Sequence, residues 1–154
     1  MGEMLVTLFA SQHATIDHRH QLDMFDSNGV FTVQIPELAR RCPALLYAML
    51  ALSARQLERK NHKQSSFDSI ELYQQAIRLL GPLLQDRKLE LIPTCVILCC
   101  LEMMSASPRD WRRHLEGCAA LFDAFGVNGF SGGILQSIFW CYARMGAFVA
   151  LILG

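Results

Sequence analysis

A thiol and an imidazole stand one helical turn apart in the segment SPRDWRRHLEGCAALFDAFG, residues 107–126. Cys118 follows His114 by four positions, a spacing that places both side chains on one face of an α-helix. A base next to a cysteine can remove the thiol proton and create a nucleophile. Catalysis would also need a group that orients the base and a donor site for an oxyanion, which a helix interior does not readily offer. Packing is therefore the favoured interpretation, and we predict no catalytic residue.

Two further groups of residues could bind a metal ion. One is a cluster of histidines and aspartates near the N-terminus: His13, Asp17, His18, His20 and Asp23. Its spacing matches no zinc pattern, so a solvated polar face is favoured. The other group is Cys95 and Cys99, one helical turn apart but surrounded by aliphatic residues, which favours buried free thiols. We predict no metal site and no cofactor.

The cysteines also bear on the class of protein. There are six: Cys42, Cys95, Cys99, Cys100, Cys118 and Cys141. They are scattered and contain no C-x-x-C pair, so they cannot form a binuclear zinc cluster of the kind that reads DNA. The chain begins MGEMLVTLFA, without the basic start and small-residue cleavage site of a signal peptide. Free thiols in a protein that is not secreted are therefore expected.

Composition excludes further functions. The 14 basic and 14 acidic residues cancel, so the chain offers no overall positive field for nucleic acid. The basic pairs at 40–41 and 112–113 are too short and too well balanced by acids to predict DNA-binding residues. The glycine-rich stretch GVNGFSGG does not follow a strand and is interpreted as a turn. Gln136 and Arg144 interrupt the last apolar segment, so we predict no membrane span.

The elements that must position these residues are helices. Apolar residues recur with helical spacing over most of the chain, and the segment around Cys95–Leu101 is apolar nearly all round, which is typical of a helix in the middle of a bundle. Pro43 and Pro108 suit first helical positions. We predict an all-α single domain over residues 1–154: an antiparallel array of five to six helices, resembling an irregular α-solenoid.

Several local predictions follow from the same pattern. The segment DSNGVFTVQIP is expected to form a turn and a short extended piece that tucks Val30, Phe31 and Val33 onto the core. One continuous apolar stripe is expected along the helix that contains ELYQQAIRLL: Ile70, Tyr73, Ile77, Leu80 and Leu84. Pro82 should kink or end that helix. In the opening segment, a second stripe is expected to face the core: Trp111, Leu115, Cys118, Phe122 and Phe125.

Three smaller features complete the helical prediction. Gly117 should allow close approach of a neighbouring helix, and Gly126 should end its helix in a left-handed conformation. Glu102, at the end of the most apolar helix, is expected to pair with a buried arginine such as Arg144. The apolar end of the chain, ALILG, predicts a surface that is covered by a partner or by a second copy of the chain.

Four blocks of sequence carry a family resemblance. They are IPELARRCPALLYAMLALSARQLER, ELYQQAIRLLGPLL, WRRHLEGCAALF and FWCYARM, in this order and spacing. They resemble the regulatory middle domain of fungal-specific transcription factors of the binuclear zinc cluster class. The matching motif positions are occupied by Trp111, His114, Leu115 and Gly117, and later by Trp140, Tyr142 and Arg144. The resemblance implies that these are packing residues of the family fold.

The resemblance also implies a function. It predicts a nuclear transcription-regulatory domain that modulates an attached or partner DNA-binding module, through a small-molecule effector or other proteins; the ligand-binding residues stay unknown. The zinc cluster is missing, and Gly146 stands where the family commonly has an acidic residue, so a truncated domain that does not itself bind DNA is expected. The alternative is a helical protein-interaction adaptor with no transcriptional role, in the cytoplasm. Both interpretations exclude an enzyme.

Overall fold

The computed structural model describes residues 29–60, 67–105 and 108–153, and all regular structure within them is helical. A π-helical turn, Val30–Gln34, leads directly into the short helix α1. The helices are α1 Ile35–Ala39, α2 Pro43–Lys60, α3 Phe67–Gln85, α4 Leu91–Ser105, α5 Pro108–Phe125 and α6 Gly133–Leu153. The predicted all-α class is confirmed. The predicted starts at Pro43 and Pro108 are also confirmed, because a proline at the first position loses no helical hydrogen bond.

Helix α4 lies at the centre of the bundle. Every residue from Leu91 to Leu101 is buried except Cys95, which is half-buried. The helix packs against α2, α5 and α6, and less extensively against α3. A helix without a polar face is stable only where neighbours cover it on several sides. The sequence prediction for this segment is therefore confirmed.

Helices α2 and α3 share the most extensive interface, and a buried carboxylate joins them. Glu58 of α2 accepts two hydrogen bonds from Ser69 of α3, one from the backbone N–H at 3.1 Å and one from the hydroxyl at 2.7 Å. Arg55 Nη1 lies 3.5 Å from the same carboxylate. The first N–H groups of a helix have no partner within it, so Glu58 acts as a cap supplied by the neighbouring helix.

Helix α3 departs from two expectations. The sequence predicts that Pro82 kinks or ends the helix; the helix does not end there but continues to Gln85, and the kink stays a prediction. Ile70, Ile77 and Leu84 remain 44%, 43% and 58% exposed, although they share the predicted stripe with the half-buried Tyr73 and Leu80. The innermost positions of α3 are small residues, Ser69 and Ala76 at 1% and 0% exposure. Small side chains let α3 approach α2 closely, and the larger aliphatic residues then flank the contact.

The segment before α1 also differs from its prediction. It forms a helical turn instead of an extended piece, and it starts after Gly29, whose φ of 59° is left-handed. Val30 and Phe31 are buried as predicted, but Val33 is 65% exposed. Side chains of a helical turn point in successive directions around its axis, so one of these three must face away from the core.

Helix α5 matches its predicted stripe. Leu115, Cys118 and Phe122 are buried, and Trp111 and Phe125 pack at the edges of the core. Gly126 has a φ of 65°. The N–H of Gly126 donates to the Asp123 carbonyl and that of Val127 to the Phe122 carbonyl, the two bonds of a Schellman cap.

Gly117 differs from its prediction, since a Cβ at this exposed position would meet nothing within 4 Å. No neighbouring helix therefore approaches α5 closely at Gly117.

Helix α6 is apolar but only partly covered. Trp140, Phe148 and Leu151 are 52%, 53% and 84% exposed. Among the described residues, Gly133–Leu151 is one segment long and apolar enough to cross a membrane by length and composition, with 17% of its most apolar window buried. Length and composition do not place the segment in a membrane, so the expectation from Gln136 and Arg144 that it does not span one stays a prediction.

Candidate functional site

A cleft of about 240 Å³ opens between α3, α4 and α5. Its walls are mainly aliphatic, from Ile77, Leu80, Leu98 and Leu121. The remaining lining is polar or contains sulfur, and falls into two groups. The polar group is Tyr73, Glu102, Arg113 and His114, and the thiol group is Cys95, Cys99 and Cys118, with Gly117 between them on α5.

The polar group is organised around Glu102, which α4 presents near its C-terminal end. His114 Nε2 lies 3.7 Å from Glu102 Oε2, across the contact between α4 and α5. The Tyr73 hydroxyl of α3 donates a hydrogen bond to the same carboxylate, and burial together with this hydrogen bond raises the pKa of Tyr73 above its ordinary value. Three helices thus bring one acid, one imidazole and one phenol together in a cleft whose walls are mainly aliphatic.

The thiol group lies deeper in the cleft. The Cys118 thiol donates a hydrogen bond to the sulfur of Cys99, which lowers the pKa of Cys99 and, together with burial, raises that of Cys118. Burial, and secondarily the nearby Cys99, raises the pKa of Cys95 to about 11. A thiol with a raised pKa stays protonated at neutral pH, and a protonated thiol is a poor nucleophile.

The structure places Cys118 and His114 in the same cleft but gives them different partners. His114 contacts Glu102, whereas Cys118 contacts Cys99. The i, i+4 spacing suggested a thiol–imidazole pair, but the contacts of Cys118 and His114 are with Cys99 and Glu102 instead. A carboxylate, an imidazole and a thiol do line one cleft, but the hydrogen bonds separate the acid–base pair from the sulfur pair.

The predicted partner of Glu102 was Arg144. The contacts that the structure gives Glu102 are with His114 and Tyr73, because the end of α4 faces α3 and α5. Local spacing could not reveal this, since both partners are distant in sequence.

The remaining candidates are dispersed. The histidine–aspartate cluster at residues 13–23 lies outside the described residues. Arg40 is exposed and pairs with Glu37 at 3.2 Å. Within residues 29–60, 67–105 and 108–153, no group of three or more His, Cys, Asp or Glu side chains could hold a metal ion.

The two motif groups named in the sequence lie on α5 and α6. Leu115 is buried, and His114 and Gly117 line the cleft. Tyr142 of α6 packs against Phe122 in a tilted arrangement, with ring centroids 5.0 Å apart. Trp140 Nε1 donates to the Gly129 carbonyl at 3.2 Å, which ties α6 to the turn before it. Two roles could not be predicted from the sequence: the hydrogen bond of Tyr73 to Glu102 and the capping of α3 by Glu58. The one indication in the sequence was a polar side chain, a phenol or an acid, on an apolar helical face.

Comparison with known families decides the classification. The model of the fungal specific transcription factor domain matches residues 18–145, most of the chain. The chain belongs to this family. The resemblance inferred from the four sequence blocks is confirmed, and the fungal-specific transcription factor domain is a transcription-regulatory domain. No curated protein and no solved structure matches the chain.

Proposed function

We propose that this fungal-specific transcription factor domain senses a small molecule in the cleft between α3, α4 and α5 and thereby modulates a DNA-binding module, attached or in a partner. The observation that carries the proposal is the combination of aliphatic walls with a hydrogen-bonding end at Glu102, His114 and Tyr73. Ligand sites are typically apolar concavities with a few convergent polar groups. The domain acts in the nucleus, as is general for the family.

The size and chemistry of the cleft restrict the effector. A volume of about 240 Å³ lies below the roughly 300–1,000 Å³ typical of sites for drug-sized ligands. The occupant is therefore metabolite-sized, with an apolar body against Leu80 and Leu98. Its single polar head hydrogen-bonds at the Glu102–His114 end. Neither an enzyme activity nor direct DNA binding is part of the proposal, because the cleft thiol Cys118 is kept protonated and the formal net charge is zero.

Gly117 provides the test of the cleft. A side chain added there meets nothing within 4 Å, so Gly117→Leu fills the cleft without a clash at its Cβ. Gly81→Leu is the matched control, since Gly81 is also an exposed helical glycine with open space but does not line the cleft. The chain is fused to a heterologous DNA-binding module and reporter transcription is measured. We expect Gly117→Leu to change reporter output several-fold and Gly81→Leu to leave it unchanged. Equal reporter output from the unchanged chain and from both variants would contradict the proposal.

We also propose that the exposed apolar face of α6 contacts protein, either a partner or a second copy of the chain. Aromatic and large aliphatic side chains concentrated on one helix are typical of interface cores. Phe148→Asp should abolish concentration-dependent association in sedimentation velocity or co-purification of a stoichiometric partner. Val33→Asp is the control, because Val33 is 65% exposed outside α6. A protein that is monomeric at all concentrations and retains no partner would refute this surface.

The same α6 face supports the second candidate, an adaptor with no transcriptional role. The reporter assay separates the two functions. An adaptor leaves reporter output unaffected by Gly117→Leu and still loses its partner with Phe148→Asp. An electrophoretic mobility assay of the purified chain should show no sequence-specific DNA complex, and a specific, salt-resistant complex would overturn that part of the proposal.

A further inference from the structure

Two consecutive cysteines of α4 each face a thiol on a different helix. Cys99 is hydrogen-bonded to Cys118 of α5, and Cys100 is hydrogen-bonded to Cys141 of α6. Cys100 Sγ also lies 3.3 Å from the thioether sulfur of Met145. The central helix therefore carries two inter-helix thiol pairs, although all six cysteines are reduced.

The two pairs differ in their position relative to the cleft. Cys99 and Cys118 line the cleft between α3, α4 and α5, whereas Cys100 and Cys141 do not. Oxidation of a thiol requires an accessible sulfur and a share of thiolate. Access from the cleft therefore separates two pairs that are otherwise similarly buried.

We propose that Cys99 and Cys118 are a dithiol site that a hydroperoxide entering the cleft converts to a reversible disulfide between α4 and α5. The inference concerns these two sulfurs alone and goes beyond the proposed effector function. Two sulfurs already in hydrogen-bond contact need only close to the bonding distance of about 2.05 Å, which requires little movement of either helix.

The chemistry balances with the peroxide as oxidant. The Cys99 thiolate attacks one peroxide oxygen, the O–O bond breaks and the leaving oxygen takes a proton, giving a sulfenic acid at Cys99. The Cys118 sulfur then attacks the Cys99 sulfur, so that the S–S bond forms, the S–O bond breaks and the leaving hydroxide takes the Cys118 proton as water. Both electrons lost by the thiol pair reduce the peroxide, and a small thiol or dithiol reductant reverses the change.

The order of attack follows from the hydrogen bond between the two thiols. Cys118 donates and Cys99 accepts, so the pKa of Cys99 is lowered while that of Cys118 is raised, and Cys99 has the larger share of thiolate of the two. The pKa of Cys100 is raised by its hydrogen bond to Cys141 and by burial, which keeps the Cys100 thiol protonated. Cys99 is therefore the attacking sulfur and Cys118 the resolving one.

Peptide mapping of the full chain tests the proposal without any variant. The native protein is treated with hydrogen peroxide, the remaining thiols are alkylated under denaturing conditions, and the product is cleaved with trypsin and an Asp-specific protease. Cleavage before Asp123 separates Cys118, in the peptide 114–122, from Cys141, in the peptide 123–144. We expect the six free thiols to fall to four, with the peptide 89–109 cross-linked to 114–122 and released by dithiothreitol.

Variants assign the sulfur within the peptide 89–109, which also contains Cys95 and Cys100. Cys99→Ala and Cys118→Ala should each abolish the cross-link, whereas Cys100→Ala and Cys141→Ala should retain it. Alanine is preferred to serine because it buries no hydroxyl. A cross-link to 123–144, a cross-link that survives Cys99→Ala, or oxidation only to sulfinic acid would each overturn the proposal. The map of the native protein decides the outcome even where a variant fails to fold.

Discussion

Removal of the Glu58 carboxylate should be among the most damaging single changes in α2. Glu58 is 8% exposed and accepts two hydrogen bonds from Ser69, at 3.1 and 2.7 Å. A hydrogen bond to a charged group contributes roughly 1.5 kcal/mol or more, so Glu58→Ala should lower the free energy of unfolding by about 3 kcal/mol. For a chain of this size that corresponds to a fall of roughly 6–12 °C in the melting temperature.

Urea titration followed by circular dichroism measures the effect, and two other variants define its origin. Glu37→Ala is the matched control, because Glu37 also pairs with an arginine three residues away, Arg40, but its side chain is 58% exposed. Exposed pairs contribute little, so this variant should lose less than about 1 kcal/mol. Ser69→Ala should lose roughly half as much as Glu58→Ala, and the double variant of Glu58 and Ser69 should lose less than the sum. Equal losses from Glu58→Ala and Glu37→Ala would refute the capping role.

Three further predictions concern single positions. Gly126→Ala should cost about 1 kcal/mol, because its φ of 65° strains an L-residue, whereas Gly117→Ala should stabilise the helical state by a similar amount; urea midpoints that move in the same direction would contradict this. Gly129→Ala should destabilise the protein by about 1–3 kcal/mol and shift the emission of Trp140, since the added Cβ would lie 2.8 Å from the indole ring. Burial raises the pKa of Cys95 to about 11 from an ordinary value of 9.0, so the unfolded chain loses this proton first. The stability that this thiol contributes is therefore fully present below pH 9 and is lost towards pH 11; Cys95→Ala should flatten the decline, and an unchanged slope would contradict the assignment.

The sequence predicted the helices better than it predicted their faces. The α5 stripe from Trp111 to Phe125 was correct because polar residues clearly mark its opposite side. The α3 stripe failed because the close contact with α2 is made by Ser69 and Ala76, and hydropathy ranks such small residues below the larger aliphatic ones that flank them. Which residue lies innermost depends on how near the neighbouring helix comes, and that is a property of the pair.

The candidate site could be predicted only in part. The spacing of His114 and Cys118 made them a candidate thiol–imidazole pair, and both do line the cleft. Their partners, Glu102 and Cys99, come from another helix, so no local pattern could assign them. Tyr73 was predicted as an apolar stripe residue, and its hydrogen bond to Glu102 depends on the packing of α3 beside α4. Contacts between helices were beyond what periodicity can show.

The burial of α4 on nearly all sides has a consequence for how the protein unfolds. Since α2, α5 and α6 all rest on this one helix, none of them can detach without exposing part of its apolar surface to water. The amide protons of residues 95–101 should therefore exchange with solvent more slowly than those of any other described segment, and only when the whole bundle opens. Heating should accordingly release the five long helices in a single transition, with the thiol of Cys100, which does not line the cleft, becoming reactive at the same temperature at which helicity is lost.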